Sequence, residues 1–300
     1  MTFDPLIVNL PRNARMAKNL ARTLQWKRGA LVARRFPDGE TYVRLGGDVA
    51  GKDVILVDTL VRPDAKFLRL IFAAAAAREN GANSVGLVAP YLAYMRQDRR
   101  FKPGEAVTSR HFAAALDPWI DWLVTVDPHL HRITALSDVY SIPAHAVHAS
   151  PAVSRWIREN VENPLLIGPD DESRQWVENA AQKVGAPFLI LEKTRKGDRD
   201  VRVAVPQVEK WRRHTPVLLD DIISTGRTMI ETIGHLKNAE MRAPVCVAVH
   251  GVFATGAYEE LRAAGAGRIA TTNTITHDSN AIDIASLLGD AIKSMLINYH

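Results

Sequence analysis

Two adjacent carboxylates, Asp220 and Asp221, close the apolar run Thr215–Leu219. A short polar loop, Ser224-Thr225-Gly226-Arg227-Thr228, follows and opens an amphipathic stretch. Such a loop offers backbone N–H groups and three hydroxyls at a helix N-terminus, which is a ready anion site. Carboxylates beside it would repel phosphate but suit sugar hydroxyls or a metal ion. Anion loop plus paired acids reads as a site for a sugar phosphate. The same residues also fit a capped helix behind a solvated Asp-Asp turn, because Ser and Thr are favoured at helix starts for capping alone.

Other phosphate and catalytic patterns fail on inspection. The stretch Gly46–Asp53 approaches a P-loop, but Asp53 stands where the metal-binding Ser or Thr belongs, and a strand pattern follows instead of a helix. There is no G-x-G-x-x-G, G-x-S-x-G, H-E-x-x-H or paired-cysteine spacing.

The elements that must position these residues alternate along the chain. Apolar runs that read as strands are Leu6–Leu10, Asp53–Asp58, Ser84–Ala89, Trp122–Val126, Leu165–Gly168, Pro187–Leu191, Val217–Leu219, Val245–His250 and Ile269–Thr272. Helical patterns cover Asp64–Asn80, Ser109–Leu116, Ser150–Val161, Asp171–Val184, Thr228–Asn238, Ala257–Ala264 and Asn280–Tyr299. Gly81 and Gly185 stand where helix C-termini belong. Alternating strands and helices predict parallel α/β sheets. The βα series restarts near Ser141–His148, which divides the chain into domains of residues 1–145 and 146–300.

The 300 residues are 47% hydrophobic, ample for two packed domains. A net charge of +5 is compatible with a polyanionic partner. The basic residues cluster at Arg96–Lys102 and Lys193–Arg199 without the interleaved aromatics of a nucleic-acid surface, so a phosphorylated metabolite is favoured over nucleic acid. The apolar run at Leu70–Ala77 is too short to span a bilayer. The single cysteine, Cys246, excludes an internal disulfide, and with a start that does not read as a signal peptide it implies a cytoplasmic protein.

Four more segments fall into order with Asp220–Thr228. They are Arg35-Phe-Pro-Asp-Gly-Glu40, Tyr91-Leu-Ala-Tyr-Met-Arg-Gln-Asp-Arg-Arg100, Val124-Thr-Val-Asp-Pro-His-Leu-His131 and Glu192-Lys-Thr-Arg195. This ordered set resembles the ribose-phosphate diphosphokinase family, also called phosphoribosyl pyrophosphate (PRPP) synthetases. The stretch after Arg100, Phe101–Arg110, is unlike the longer basic segment of many bacterial members, so the chain looks closer to the shorter archaeal-type ones. The resemblance implies two phosphoribosyltransferase-like (type I) domains, each with a mainly parallel central sheet flanked by helices, and an active site between them. It implies transfer of the β,γ-diphosphoryl group of ATP to the C1 hydroxyl of ribose 5-phosphate, with Mg²⁺ as cofactor, in a homo-oligomer of at least two chains.

Carried over residue by residue, the resemblance gives Arg96 and Gln97 as ATP-binding. Asp38, Gly39 and Glu40 would meet the nucleoside end across a subunit interface. His129 and Asp170 would be associated with the metal, although His is an unusual partner for an ion that prefers oxygen. Lys193 and Arg195, on a charged loop continuing through Lys196–Asp200, would stabilise the migrating diphosphoryl group, with Arg195 also near ribose 5-phosphate. Asp220, Asp221, Ser224, Thr225, Gly226, Arg227 and Thr228 would bind ribose 5-phosphate.

The chain departs from the family pattern at two turns. Gly168-Pro-Asp170 is followed by Asp171-Glu-Ser-Arg174 where the family commonly has Gly-Gly. Arg227 stands where the family's phosphate loop has a second glycine. A phosphoribosyltransferase consuming PRPP would share the loop but leave Arg96-Gln97 unexplained. A non-catalytic regulatory homologue would have no use for Lys193, Arg195, Asp170 and His129 together.

Overall fold

The computed structural model describes residues 3–130, 132–170, 173–196, 200–204 and 208–299; for residues 175, 192–196, 200–204 and 208–209 it describes the backbone alone. The chain forms two compact units. The first holds residues up to His148, with Thr274–Thr276 and the segment from Ile284 onward, and the second holds Ala149–Asn273 and His277–Asp283.

The first unit is built on β1 (Pro5–Asn9), α1 (Ala14–Leu24), β2 (Lys27–Arg35), β3 (Thr41–Gly46), β4 (Asp53–Val57), α2 (Asp64–Glu79), β5 (Ser84–Ala89), α3 (Thr108–Leu116), β6 (Trp122–Val126) and β7 (Ala144–Val147). Its seven strands run in the order β3-β2-β1-β4-β5-β6-β7. All neighbours are parallel except β2 and β3, which form an antiparallel hairpin at one edge. Every residue of β4, β5 and β6 is buried, as expected of parallel strands covered by helices on both faces. That is why these segments read as unbroken apolar runs.

The second unit contains α4 (Ser150–Asn160), β8 (Pro164–Gly168), α5 (Arg174–Val184), β9 (Phe188–Ile190), β10 (Glu192–Lys196), β11 (Asp200–Ala204), β12 (Thr215–Ile223), α6 (Arg227–Asn238), β13 (Val245–Gly251), α7 (Ala257–Ala264), β14 (Arg268–Thr272) and β15 (Asn280–Ile282). Its main sheet has the order β15-β14-β13-β12-β8-β9, all parallel, and β10 and β11 pair as a separate antiparallel ribbon. The last helix, α8 (Ala285–Tyr299), packs on α1, β6 and β7 of the first unit. The expected helix over Asn280–Tyr299 is therefore a short edge strand and then a helix. Helix α5 starts at Arg174 rather than Asp171, and Asp171 and Glu172 lie outside the described residues.

Helix α1, β2, β3 and β7 are not among the expected elements. In β2 the half-buried Gly29, Leu31 and Ala33 alternate with exposed residues, but the exposed Ala30 and Val32 are apolar too, so the sequence itself shows little alternation; in β3 all but Arg44 are half-buried. Helix α1 does carry a signal: Met16, Ala17, Leu20 and Leu24 recur at helical spacing and are buried.

A buried polar cluster sits at the carboxyl ends of β1 and β4. Asp58 is fully buried and accepts from Asn13 Nδ2 at 2.7 Å, with Lys66 Nζ at 3.7 Å. Burial pushes the Asp58 carboxyl up to about 6, against the opposing pull of Lys66 and Arg69. The folded protein thus holds this proton more tightly than the unfolded chain, and its stability falls as pH rises from about 4 to about 6. Asp58→Asn mimics the protonated form at every pH. In urea titrations the variant should gain on the wild type by on the order of 3 kcal/mol between pH 4 and pH 7; parallel stability curves across that range would refute the cause assigned to Asp58.

Candidate active site

In the second unit the chain leaves β8 outward to β9, then resumes on the other side of β8 with β12 and runs away to β13, β14 and β15. The winding reverses between β8 and β12. Ligands of doubly wound sheets bind outside the carboxyl ends of the strands at this crevice. Asp170 lies just beyond the end of β8, and Asp220 and Asp221 lie on β12. Pairing of β12 with β8 stops at Leu218↔Ile167, whereas pairing with β13 continues to Ile223↔Gly251. The end of β12 therefore runs past β8, carrying the two carboxylates with it.

These acids feel one another. Asp220 is pushed well above the usual carboxylate range by burial first, then by the negative charge of Asp221 and of Asp170. The Asp221 N–H donates to Asp220 Oδ1 at 2.9 Å, a partial compensation. Asp170 is fixed by its own turn: the Ser173 N–H donates to its Oδ1 at 3.2 Å and Ser173 Oγ donates to its carbonyl at 2.6 Å. The carboxylates are thus held near one another at an electrostatic cost that a divalent cation would relieve. Among the described residues no group of three His, Cys, Asp or Glu side chains is arranged to hold a metal ion unaided.

The loop after β12 ends at Gly226, whose φ of 69° makes it the left-handed residue preceding α6. No side chain caps this helix and its first turn carries no acid, so its N–H groups present undiminished positive character. Arg227 is the first helical residue, with an ordinary backbone angle and an exposed side chain. Thr225 is exposed, while Ser224 and Thr228 are half-buried. One glycine therefore suffices: the left-handed position falls at 226, and 227 has no need of one. The loop and the acid pair share the end of one strand.

Lys193 and Arg195 lie on β10, paired with Val203 and Val201 of β11, rather than in a loop after β9. Their side chains, and residues 197–199, fall outside the described residues.

In the first unit, Arg96 and Gln97 follow β5. Buried Met95 anchors the segment in the core and Tyr94 turns it with a φ of 63°. Arg96 is exposed. Gln97 is tied to the start of α3, with Thr108 Oγ1 donating to its Oε1 at 3.0 Å and the Ser109 N–H to its carbonyl at 3.4 Å. Beyond it, Glu105 accepts the Phe101 and Lys102 N–H groups at 2.8 and 3.1 Å, and these bonds hold its carboxyl below the usual range.

His129 follows β6 in a strained turn. Asp127 and His129 have φ of 33° and 55°, and the His129 N–H closes back on the Asp127 carbonyl at 2.8 Å. Non-glycine residues in such angles cost of order 1–3 kcal/mol each and cluster at functional sites. Asp127 Oδ1 lies 3.0 Å from His148 Nδ1. This pairing across the ends of β6 and β7 was beyond sequence reasoning, because β7 was not expected there. Asp38, Gly39 and Glu40 form the exposed turn of the β2–β3 hairpin, with Gly39 at a φ of 94° and the Glu40 N–H on Asp38 Oδ1 at 3.2 Å.

Known proteins match nearly the full length of the chain. Residues 6–118 match the family described as the N-terminal domain of ribose phosphate pyrophosphokinase, and residues 136–286 match the phosphoribosyl transferase domain family. A ribose-phosphate pyrophosphokinase of Methanopyrus kandleri is 30% identical over 97% of this chain and 99% of its own length. One from Sulfolobus acidocaldarius is 34% identical, covering 84% of this chain and 87% of the relative. The crystal structure of phosphoribosylpyrophosphate synthetase from Mycobacterium smegmatis superposes with a TM-score of 0.86 at 25% identity, covering 98% and 99% of the two chains.

A Cβ at position 226 would lie 3.0 Å from Leu261 Cδ1, and the backbone there is left-handed. Gly226→Ala should therefore lower stability by about 1–2 kcal/mol, since alanine disfavours this angle and the space is tight. A shift of the urea midpoint measures it; a variant as stable as the parent would mean that the loop relaxes freely.

Proposed function

The chain belongs to the ribose-phosphate pyrophosphokinase family, and from that premise we infer its activity: it transfers the β,γ-diphosphoryl group of ATP to the C1 hydroxyl of ribose 5-phosphate, yielding PRPP and AMP. The family likeness over nearly the full length carries the reaction, and the second unit's geometry supports the assignment of residues.

In this assignment the residues of 146–300 bind the acceptor. The N–H groups at the start of α6, with the hydroxyls of Ser224, Thr225 and Thr228, take the 5-phosphate. Asp220 and Asp221 accept hydrogen bonds from the ribose hydroxyls, and Arg227 stands at the solvent edge. Residues 1–145 bind ATP through Arg96 and Gln97, with Gln97 pre-positioned by Thr108. Arg195 and Lys193 supply the cations that neutralise charge on the group in flight, where positioning and electrostatics account for most of the catalysis.

Mg²⁺ fits the acidic crevice of the second unit, where Asp170 is the ligand we assign, and His129 is the partner assigned in the first unit. Such an ion commonly takes one or two carboxylates and completes its shell with substrate phosphates and water. When bound, it would neutralise phosphate charge. The exposed tip Phe36–Glu40 is assigned to a neighbouring chain's nucleotide, which requires at least a dimer. Among the described residues no helix is long and apolar enough to cross a membrane, and we place the protein in the cytoplasm with its phosphorylated substrates.

Purified protein given ribose 5-phosphate, ATP and Mg²⁺ should release AMP and PRPP in equal amounts. ADP as the nucleotide product, or PRPP consumption alone, would replace this reading. Lys193→Ala should lower kcat by at least about 100-fold with little change in ATP affinity, the usual loss for one donor acting on transition-state charge. Light scattering on the active protein should give a mass of two chains or more; an active monomer would remove Phe36–Glu40 from the site.

A further inference from the structure

The phosphate loop is held by a second loop that contributes nothing to the assigned contacts. Beyond the last β12–β13 pair, the Phe253 N–H donates to the Ile223 carbonyl at 3.0 Å and the Ala254 N–H donates to the Ser224 carbonyl at 2.9 Å. The chain after β13 thus continues the ladder into the phosphate loop itself. Phe253 does this with a φ of 36°, an angle that a bulky non-glycine residue rarely adopts. Such strain persists only where surrounding contacts over-determine it.

Those contacts are aromatic. The Phe253 ring lies 4.4 Å from the His277 ring, tilted by 35°, and 5.4 Å edge-on from Tyr258, while Tyr258 and His277 are 4.8 Å apart. His277 is fixed in turn: its Nδ1 accepts the Ser279 N–H at 3.1 Å, and Ser279 Oγ lies 2.8 Å from Thr271 Oγ1 on β14. The ring also crosses Gly251, where an added Cβ would sit 2.7 Å from Phe253 Cε2. One turn further along α7, Leu261 lies beneath Gly226. Tyr258 and Leu261 are three residues apart, so one face of α7 supports the phosphate loop at both ends.

We propose that Phe253 is a positioning residue for the phosphate loop: its ring, clamped by His277 and Tyr258, fixes the Ile223 and Ser224 carbonyls and so aims the first N–H groups of α6 at the acceptor's phosphate. This rests on the assignment of Ser224–Thr228 to ribose 5-phosphate. Phe253 is not among the residues assigned to a substrate. Misaiming the loop weakens a contact made alike in the ground state and the transition state, and its loss appears in KM and not in kcat.

The test is steady-state kinetics on four variants of the full chain. Phe253→Gly relieves the backbone angle but removes the ring; it should raise KM for ribose 5-phosphate at least about tenfold, with kcat and KM for ATP within about threefold. Phe253→Tyr keeps the ring and should restore KM to within about threefold of wild type. Tyr258→Leu breaks the clamp from α7 and should raise KM in the same direction, which keeps the test open if the glycine variant does not fold. Thr228→Ala reports on the loop directly. If Thr228→Ala raises KM for ribose 5-phosphate but Phe253→Gly and Tyr258→Leu do not, the clamp is overturned. If Thr228→Ala also leaves it unchanged, the loop assignment fails, and the clamp with it.

Discussion

Parallel pairing of β12 with β8 on one side and β13 on the other is the constraint on which the site depends. Each parallel connection must cross over the sheet, so every loop that follows a strand emerges at the same end. The reversal of winding between β8 and β12 opens a crevice at that end. Because β12 outruns its pairing with β8, the acids at 220 and 221 arrive beside Asp170. Burial and mutual repulsion raise the Asp220 carboxyl, so the fold spends stability to keep these charges together. A structure selected for stability alone would separate them. The α6 N-terminus lies a few residues further along the same chain. The acid pair and the electropositive helix start are therefore carried by one strand and the loop that leaves it.

The first unit has the same reversal, between β1 and β4, and there the crevice is filled from within. Asn13 bridges the two loops by donating to Asp58 and accepting the Thr59 N–H at 2.9 Å. Lys66 extends its buried side chain to the Thr59 carbonyl and pairs with Asp58. Thr59 Oγ1 donates to the Thr274 carbonyl at 2.6 Å. A tethered ammonium and carboxylate occupy the place that corresponds to the Ser224–Thr228 loop of the second unit, the loop assigned to the acceptor phosphate. One remaining atom, Asp58 Oδ2, is buried without a partner among the described residues. Removing one member of such a pair leaves an uncompensated charge, which favours retention of the plug. The two units thus share a topology but not a use for its switch point.

The parts of the fold legible in the sequence were those with a buried face. Strands β4, β5 and β6 are apolar because helices cover both sides, and their limits came out within a residue or so. The β2–β3 hairpin was missed because apolar residues such as Ala30 and Val32 stand on its exposed face as well as on its half-buried one, so amphipathic contrast is lost. Helix α1 was missed although its buried residues keep helical spacing. The acid pair and the loop after it stand together in the structure because they are contiguous in sequence. The assignment of Arg96 and Gln97 rests on a likeness of ordered segments alone, for nothing in a charged run says which face it will take. The Asp127–His148 and Phe253–His277 contacts join residues distant in sequence, and no local pattern announces them.

Backbone strain separates the two ends of the strands. Among the described residues, positive φ at non-glycine positions follows β1 at Arg12, β4 at Arg62, β5 at Tyr94, β6 at Asp127 and His129, and β13 at Phe253. The others, Gln25, Asn163 and Glu240, come shortly after α1, α4 and α6, where a left-handed residue ends or follows a helix and glycine would serve as well. Replacing a strained side chain by glycine would relieve an energy of order 1 kcal/mol or more. The side chain must therefore do something that glycine cannot. For Tyr94 it is the ring contact with Phe112, at 4.8 Å, that steadies the segment bearing Arg96. For Asp127 it is the bond to His148, and for Phe253 the aromatic clamp. At Gly226 no such duty exists, and glycine is what stands there. The strain is concentrated at the carboxyl ends, where loops must hold fixed shapes without regular hydrogen bonding of their own.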